Sequence, residues 1–192
     1  MNLSRKDKIR GSLIGGAIGD ALGYPVEFVS YSNIKSLFGE NGITRFVLNN
    51  NGVAEISDDT QMTLFTANGL LYGITRFCMR GIGSDLFNYV AIAYDEWLQT
   101  QMELPLEDEW HTCWIRNISA LNSRRAPGNT CLSALTALRE QKAVSNNSKG
   151  CGGVMRAAPI GLLSGVARGK ETIDIACDCA AITHKHPLGY IP

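Results

Sequence analysis

Residues 7–23 read DKIRGSLIGGAIGDALG, and their reading decides the fold class. Ile9, Leu13, Ala17 and Leu22 fall on one apolar stripe at helical spacing. Gly11, Gly15, Gly19 and Gly23 recur every four residues, along one slowly drifting face. Each glycine costs about 1 kcal/mol against alanine in a helix. The spacing therefore predicts that another helix or a ligand comes close to this face. Working outward, the same periodicity dominates. Ser57 reads as an N-cap, with Asp58 and Asp59 in the first turn and Met62, Phe65, Leu70 and Leu71 continuing a buried helix. Ser84 is expected to cap a helix carrying Leu86, Phe87, Val90, Tyr94, Trp97 and Leu98. Trp110 to Leu121 is read as a further helix. After the Pro127-Gly128-Asn129-Thr130 turn and cap, Leu132, Leu135 and Leu138 begin the next. Pro159 suits a first helical turn, where its missing N–H does no harm. Residues 171–183 are amphipathic, with Ile173, Ala176, Cys177 and Ala180 on one side. Gly42 to Ile56 reads as a small hairpin or a loop. The class is all-α, with residues 1–192 forming one domain.

Composition narrows the function. Apolar residues make up 45% of 192, enough for a full core. Eighteen basic residues balance eighteen acidic ones, which argues against a broadly basic nucleic-acid binder and against charge-held association with anionic lipid. No uncharged apolar run reaches the ~18 residues of a membrane span. The first residues carry charge without the apolar stretch of a signal peptide, so a cytoplasmic protein is expected. Six cysteines at 78, 113, 131, 151, 177 and 179 form no Cys-x-x-Cys pair and read as reduced, mostly buried thiols.

Four places can carry chemistry. Ser57-Asp58-Asp59-Thr60 is, by itself, an ordinary helix cap, since acids in a first turn favour any helix. Its other reading is a set of hard oxygen ligands for Mg²⁺ or Mn²⁺. Glu27 follows Pro25, which should end the first helix and leave Glu27 on a loop among small residues. Ser148-Lys149-Gly150-Cys151-Gly152-Gly153 is either a flexible loop or a run whose backbone N–H groups converge on phosphate. It is no Walker motif. His184 and His186 stand two apart, a poor spacing for a shared metal on a helix, and alone read as a helix-terminal pair.

Taken together, the order is Gly-Asp-x-x-Gly, then Glu27, then Ser57-Asp58-Asp59-Thr60, then Gly150-Cys151-Gly152-Gly153-Val154-Met155-Arg156, then Thr183-His184-Lys185-His186-Pro187. This order resembles the ADP-ribosylglycohydrolase family, which includes the dinitrogenase-reductase-activating enzymes and the ADP-ribosyl-acceptor hydrolases. The matching stretches are 11–28, 57–71, 128–135, 148–163 and 182–190, over about the first two thirds of the family's usual length. The resemblance implies an all-α orthogonal helix bundle with a binuclear magnesium centre, removing ADP-ribose from modified protein side chains. It implies Ser57, Asp58 and Asp59 as metal ligands, and Glu27 matches the acid that some members use as a catalytic or gating residue. It also implies that Ser148, Lys149, Gly150, Cys151 and Gly152 hold the diphosphate and that His184 lies near the ADP-ribose. At Cys151 many family members carry a polar residue, so only a backbone role is expected there.

One departure stands out. The family draws its remaining metal ligands from a C-terminal Asp-x-Asp-Thr segment, which these 192 residues do not contain. The expectation is therefore a chain truncated at its C-terminus, or one whose fold a second polypeptide completes. Alone it is expected to hold at most one weak divalent ion and to hydrolyse poorly. The leading reading is a magnesium-dependent hydrolase of ADP-ribosylated protein, arginine-linked by preference, or a fragment of one. The alternative is a non-catalytic ADP-ribose-binding or structural relative. Neither nucleic acid nor membrane is expected as a partner.

Overall fold

In the computed structural model, which describes residues 3–102, 111–163 and 169–191, Ser4 opens the first helix. Its hydroxyl accepts the amide of Asp7 at 3.2 Å and donates to the Asp7 carboxylate at 2.6 Å. Helix α1 thus runs Arg5–Gly23 and starts two residues earlier than the apolar stripe indicates. A short 3-10 turn, Tyr24–Val26, follows with Pro25 in its first positions. Helix α2, Tyr31–Phe38, is capped by Ser30, which accepts the Asn33 amide. Residues 42–56 contain a single antiparallel bridge, Leu48 to Ala54. The Asn49 side chain shapes the turn by accepting the amides of Asn51 and Val53, and Gly52 takes the left-handed φ of +74° that the turn requires.

The chain divides into two compact units, Met1–Thr60 and Gln61–Pro192. Helix α3, Asp58–Arg80, begins in the first and continues through the second. In the second unit follow α4 Leu86–Gln101, α5 Asn129–Arg139, α6 Ala158–Gly161, α7 Gly169–Ala181 and α8 Pro187–Tyr190, with 3-10 turns at Trp114–Asn117, Ser119–Leu121 and Cys151–Gly153. Among the described residues no strand forms, and the class is all-α. Pro159 sits in the first turn of α6, as its chemistry predicts.

The core of the second unit is the α3–α4 contact. Phe65 and Leu70 of α3 and Val90, Ala93, Tyr94, Trp97 and Leu98 of α4 are buried. The two backbones touch at Gly69: a Cβ there would stand 2.8 Å from the Tyr89 carbonyl oxygen and 2.9 Å from the Val90 Cα. The close approach that glycine spacing predicted for α1 is thus found on α3. At Gly11, Gly15, Gly19 and Gly23 a Cβ would meet nothing within 4 Å.

Two local expectations differ from what forms. Ser84 does not cap α4. The N-cap is Asp85, without a side-chain bond, and the Ser84 hydroxyl accepts from the Asn88 amide side chain instead. In place of a helix over 110–121 there are two 3-10 turns, and Trp110 itself lies outside the described residues. The reason is the buried Glu96 carboxylate. It takes the amides of Thr112 at 2.6 Å and Cys113 at 3.1 Å, and Asn68 takes that of Ile115, so side chains replace helix carbonyls as acceptors. None of the six cysteines is in a disulfide; Cys113, Cys131 and Cys179 are buried, while Cys78 and Cys151 are exposed. No helix among the described residues is long and apolar enough to cross a membrane.

Candidate functional site

The acidic residues singled out in the sequence all belong to the first unit. Asp20, in the last turn of α1, is the residue the sequence reading passed over. Its carboxylate Oδ2 accepts the backbone amides of Ser57 at 2.9 Å and Thr60 at 3.2 Å and the Thr60 hydroxyl. One carboxylate thereby ties the start of α3 to the end of α1. Its signal was the conspicuous Gly19-Asp20 pair. An acid at a helix C-terminus opposes the macrodipole, so a role other than helix stability was legible there. Ser57 performs the capping expected of it, accepting the Asp59 amide at 3.1 Å. Ser57, Asp58 and Thr60 are buried, and Asp59 is half-buried.

Glu27 stands at the end of the 3-10 turn, its amide donating to the Tyr24 carbonyl. Its carboxyl is pushed above the ordinary carboxylate range by desolvation first, then by the negative charges of Asp59 and Asp20. The Asp59 carboxyl moves in the same direction, by burial and then by Asp20. The charges of Asp59 and Asp20 thus reach Glu27, and that of Asp20 reaches Asp59. That crowding of hard oxygens is the kind of donor chemistry a divalent cation relieves. Among the described residues, no three of His, Cys, Asp or Glu are placed to enclose a metal ion by themselves.

The glycine-rich loop and His184 belong to the second unit, and there they meet. A Cβ at Gly152 would stand 2.6 Å from His184 Cε1 and 3.1 Å from Nε2, and one at Gly150 would stand 3.6 Å from Nε2. The imidazole edge thus lies along the loop backbone. Ser148 Oγ takes the Thr130 hydroxyl at 3.2 Å and the Gly150 amide at 3.3 Å, fixing the entry to the loop. Lys149 and Cys151 are exposed. Gly153 packs against the Gly189 carbonyl so closely that a Cβ would approach to 2.5 Å.

Asn146, not singled out in the sequence, is the staple of this arrangement. Its side chain donates to the Thr183 carbonyl at 2.8 Å and accepts the amides of Ser148 at 3.2 Å and Lys185 at 3.1 Å. Its only signal was an Asn at the head of a glycine-rich stretch. His186 is a local cap: its Nδ1 accepts the Leu188 amide at 3.0 Å and starts α8. His184 itself is buried, and its ring is harder to protonate than an ordinary histidine because of desolvation and then the Arg156 cation.

With this geometry described, comparison with known proteins adds one decisive finding: the sequence model of the ADP-ribosylglycohydrolase family matches residues 1–192. The chain belongs to the ADP-ribosylglycohydrolase family. This ADP-ribosylglycohydrolase chain is 29% identical over 195 aligned residues to the uncharacterized protein YegU of Escherichia coli K12, covering 96% of the chain and 50% of that protein. It is 38% identical over 69 residues to an uncharacterized protein of Archaeoglobus fulgidus, covering 34% of the chain and 22% of that protein. The chain thus spans about half the length of the first relative and about a fifth of the second.

Proposed function

We propose that this chain carries the metal-binding and ADP-ribose-gripping parts of a magnesium-dependent hydrolase that removes ADP-ribose from modified protein side chains, arginine by preference. The observation that carries the reading is the crowding of Asp20, Glu27 and Asp59, each a hard oxygen donor, with Glu27 and Asp59 raised in proton affinity by desolvation first and then by their acidic neighbours. Family membership supports the hydrolase class.

On this reading Ser57, Asp58 and Asp59 hold Mg²⁺, with Mn²⁺ as a substitute and two ions in the whole family fold. When bound, such an ion polarises ribose hydroxyls and orients water. Glu27 is the catalytic residue. Its raised proton affinity suits it to hold a proton for the departing side chain or to take one from water. The carboxylates also favour the positive charge that develops on the ribose ring as the glycosidic bond breaks. Ser148, Lys149, Gly150, Cys151 and Gly152 bind the diphosphate, Cys151 through its backbone, and His184 contacts the ADP-ribose. Asp20 positions Ser57 and Thr60 and touches no substrate.

Incubation with ADP-ribosylated arginine and serine peptides, with and without Mg²⁺, tests the reading. Release of ADP-ribose that requires Mg²⁺ and favours arginine is expected. Binding of ADP-ribose without release from either peptide would support the non-catalytic alternative. Neither binding nor release would overturn both.

A further inference from the structure

Arg156 is the most deeply buried cation among the described residues, 1% exposed. Among the described residues no carboxylate is paired with it. Its guanidinium lies 4.4 Å over the Tyr94 ring, and Nη1 points at Met62 Sδ (3.4 Å) and Cys131 Sγ (3.5 Å). Nη2 donates to the Cys179 carbonyl at 3.3 Å and to Thr183 Oγ1 at 2.7 Å. Thr183 is fully buried, and the same Oγ1 lies 2.9 Å from His184 Nδ1.

A count of protons fixes the direction of this chain of bonds. A guanidinium only donates, so Thr183 Oγ1 accepts from Arg156. The threonine hydroxyl has one proton of its own to place. If His184 Nδ1 is unprotonated, that proton goes to Nδ1 and every partner is satisfied. If Nδ1 carries a proton, it competes to donate to Oγ1, and the buried hydroxyl is left with no acceptor among the described residues. Leaving a buried donor unmade is costly. We propose that Arg156 and Thr183 are positioning residues that hold His184 as the neutral tautomer with its proton on Nε2, presenting an N–H donor to an oxygen of a ligand seated on the Gly150–Gly152 loop. The ring edge lies along that loop, and among the described residues nothing bonds Nε2. The identity of that ligand as ADP-ribose rests on the proposed function; the tautomer does not.

Desolvation and the Arg156 charge both oppose protonation of the ring, in line with a neutral imidazole. Besides Arg156, the ionisable groups packed at this place among the described residues include Cys131, whose sulfur lies by both Arg156 Nη1 and the Gly152 position, with Tyr94 under the guanidinium and Cys179 close enough to interact with it. Lys185 follows His184 in sequence but is exposed.

The experiment is nitrogen NMR of ¹⁵N-histidine-labelled protein, with His184 assigned by its loss in His184→Gln. Wild type is expected to show a protonated Nε2 and a bare Nδ1. Thr183→Ser retains the hydroxyl and should keep that pattern, whereas Thr183→Val should give a mixture of tautomers. A wild-type ring protonated on Nδ1, or a Thr183→Val ring unchanged from wild type, overturns the proposal. Calorimetry with ADP-ribose should find Thr183→Ser near wild type and Thr183→Val roughly 3- to 10-fold weaker, the loss of about one hydrogen bond. Equal affinities of Thr183→Val and wild type would overturn the donor role. No binding by wild type would instead overturn the functional reading, leaving the tautomer to the NMR.

Discussion

At the scale of single residues, His184 gives a pH dependence of known sign. Its folded ring resists a proton that the unfolded ring accepts near the ordinary histidine value of ~6.5. Below that value the unfolded state binds more protons, so stability falls as pH drops, and above it the contribution is flat. Glu27 and Asp59 are shifted upward, so their contributions run the other way: present at low pH and lost as pH rises through the carboxylate range. Comparing wild type with His184→Gln cancels the carboxylates. The melting temperature of wild type should fall further than that of His184→Gln between about pH 7.5 and pH 5.5; parallel profiles would refute the assignment. Asp58→Asn and Asp59→Asn test the proposed cation site. Each should abolish any rise of melting temperature with added Mg²⁺, while the first-turn substitution itself costs only about 0.3–1 kcal/mol. Retention of the full Mg²⁺ effect in both variants would exclude these residues as ligands.

At the scale of elements, α1, α3, α4, α5 and α7 were legible because apolar spacing and caps are local signals, whereas α2 went unread. Ser57, Pro159 and the stripe from Leu86 to Leu98 all act as their positions indicate. What escaped the sequence depended on partners far along the chain. The turns over 114–121 form because Glu96, from α4, supplies acceptors for Thr112 and Cys113. Asp20 and Asn146 act on residues about 37 positions away, and nothing in their own neighbourhoods specifies those partners. The glycines make the same point. Periodicity finds the glycines of α1, but only the packed structure identifies Gly69 as set against the backbone of α4. Gly69→Ala should therefore destabilise by roughly 1–3 kcal/mol, because the atoms it meets belong to backbone and yield little. Gly15→Ala, with nothing within 4 Å, should stabilise by about 0.5–1 kcal/mol. Denaturant titration of both variants checks the pair, and an order opposite to this would mean that α1, not α3, carries the tight contact.

At the scale of the whole molecule, the residues of the proposed reaction divide between the two units: Glu27 and Ser57–Asp59 in one, the glycine-rich loop and His184 in the other. Each unit's part can be followed separately by amide hydrogen exchange. Mg²⁺ should slow exchange at Ser57 and Thr60, whose amides rest on Asp20, whereas ADP-ribose should slow it at Gly150 and Lys185. Mg²⁺ protection confined to the loop, or ADP-ribose protection confined to Ser57 and Thr60, would reverse the assignment. The family was legible from motif order alone, while the scaffolding of each motif was not. That scaffolding has a consequence for synthesis on the ribosome. The loop beginning at Asn146 takes its shape from the Thr183 carbonyl, the Lys185 amide and the Gly189 backbone, all made later. Chains grow from the N-terminus at roughly 5–20 residues per second. A nascent chain therefore carries every residue of the loop for some seconds before the template that moulds it exists, and a polypeptide halted before Thr183 would hold the whole motif without its form.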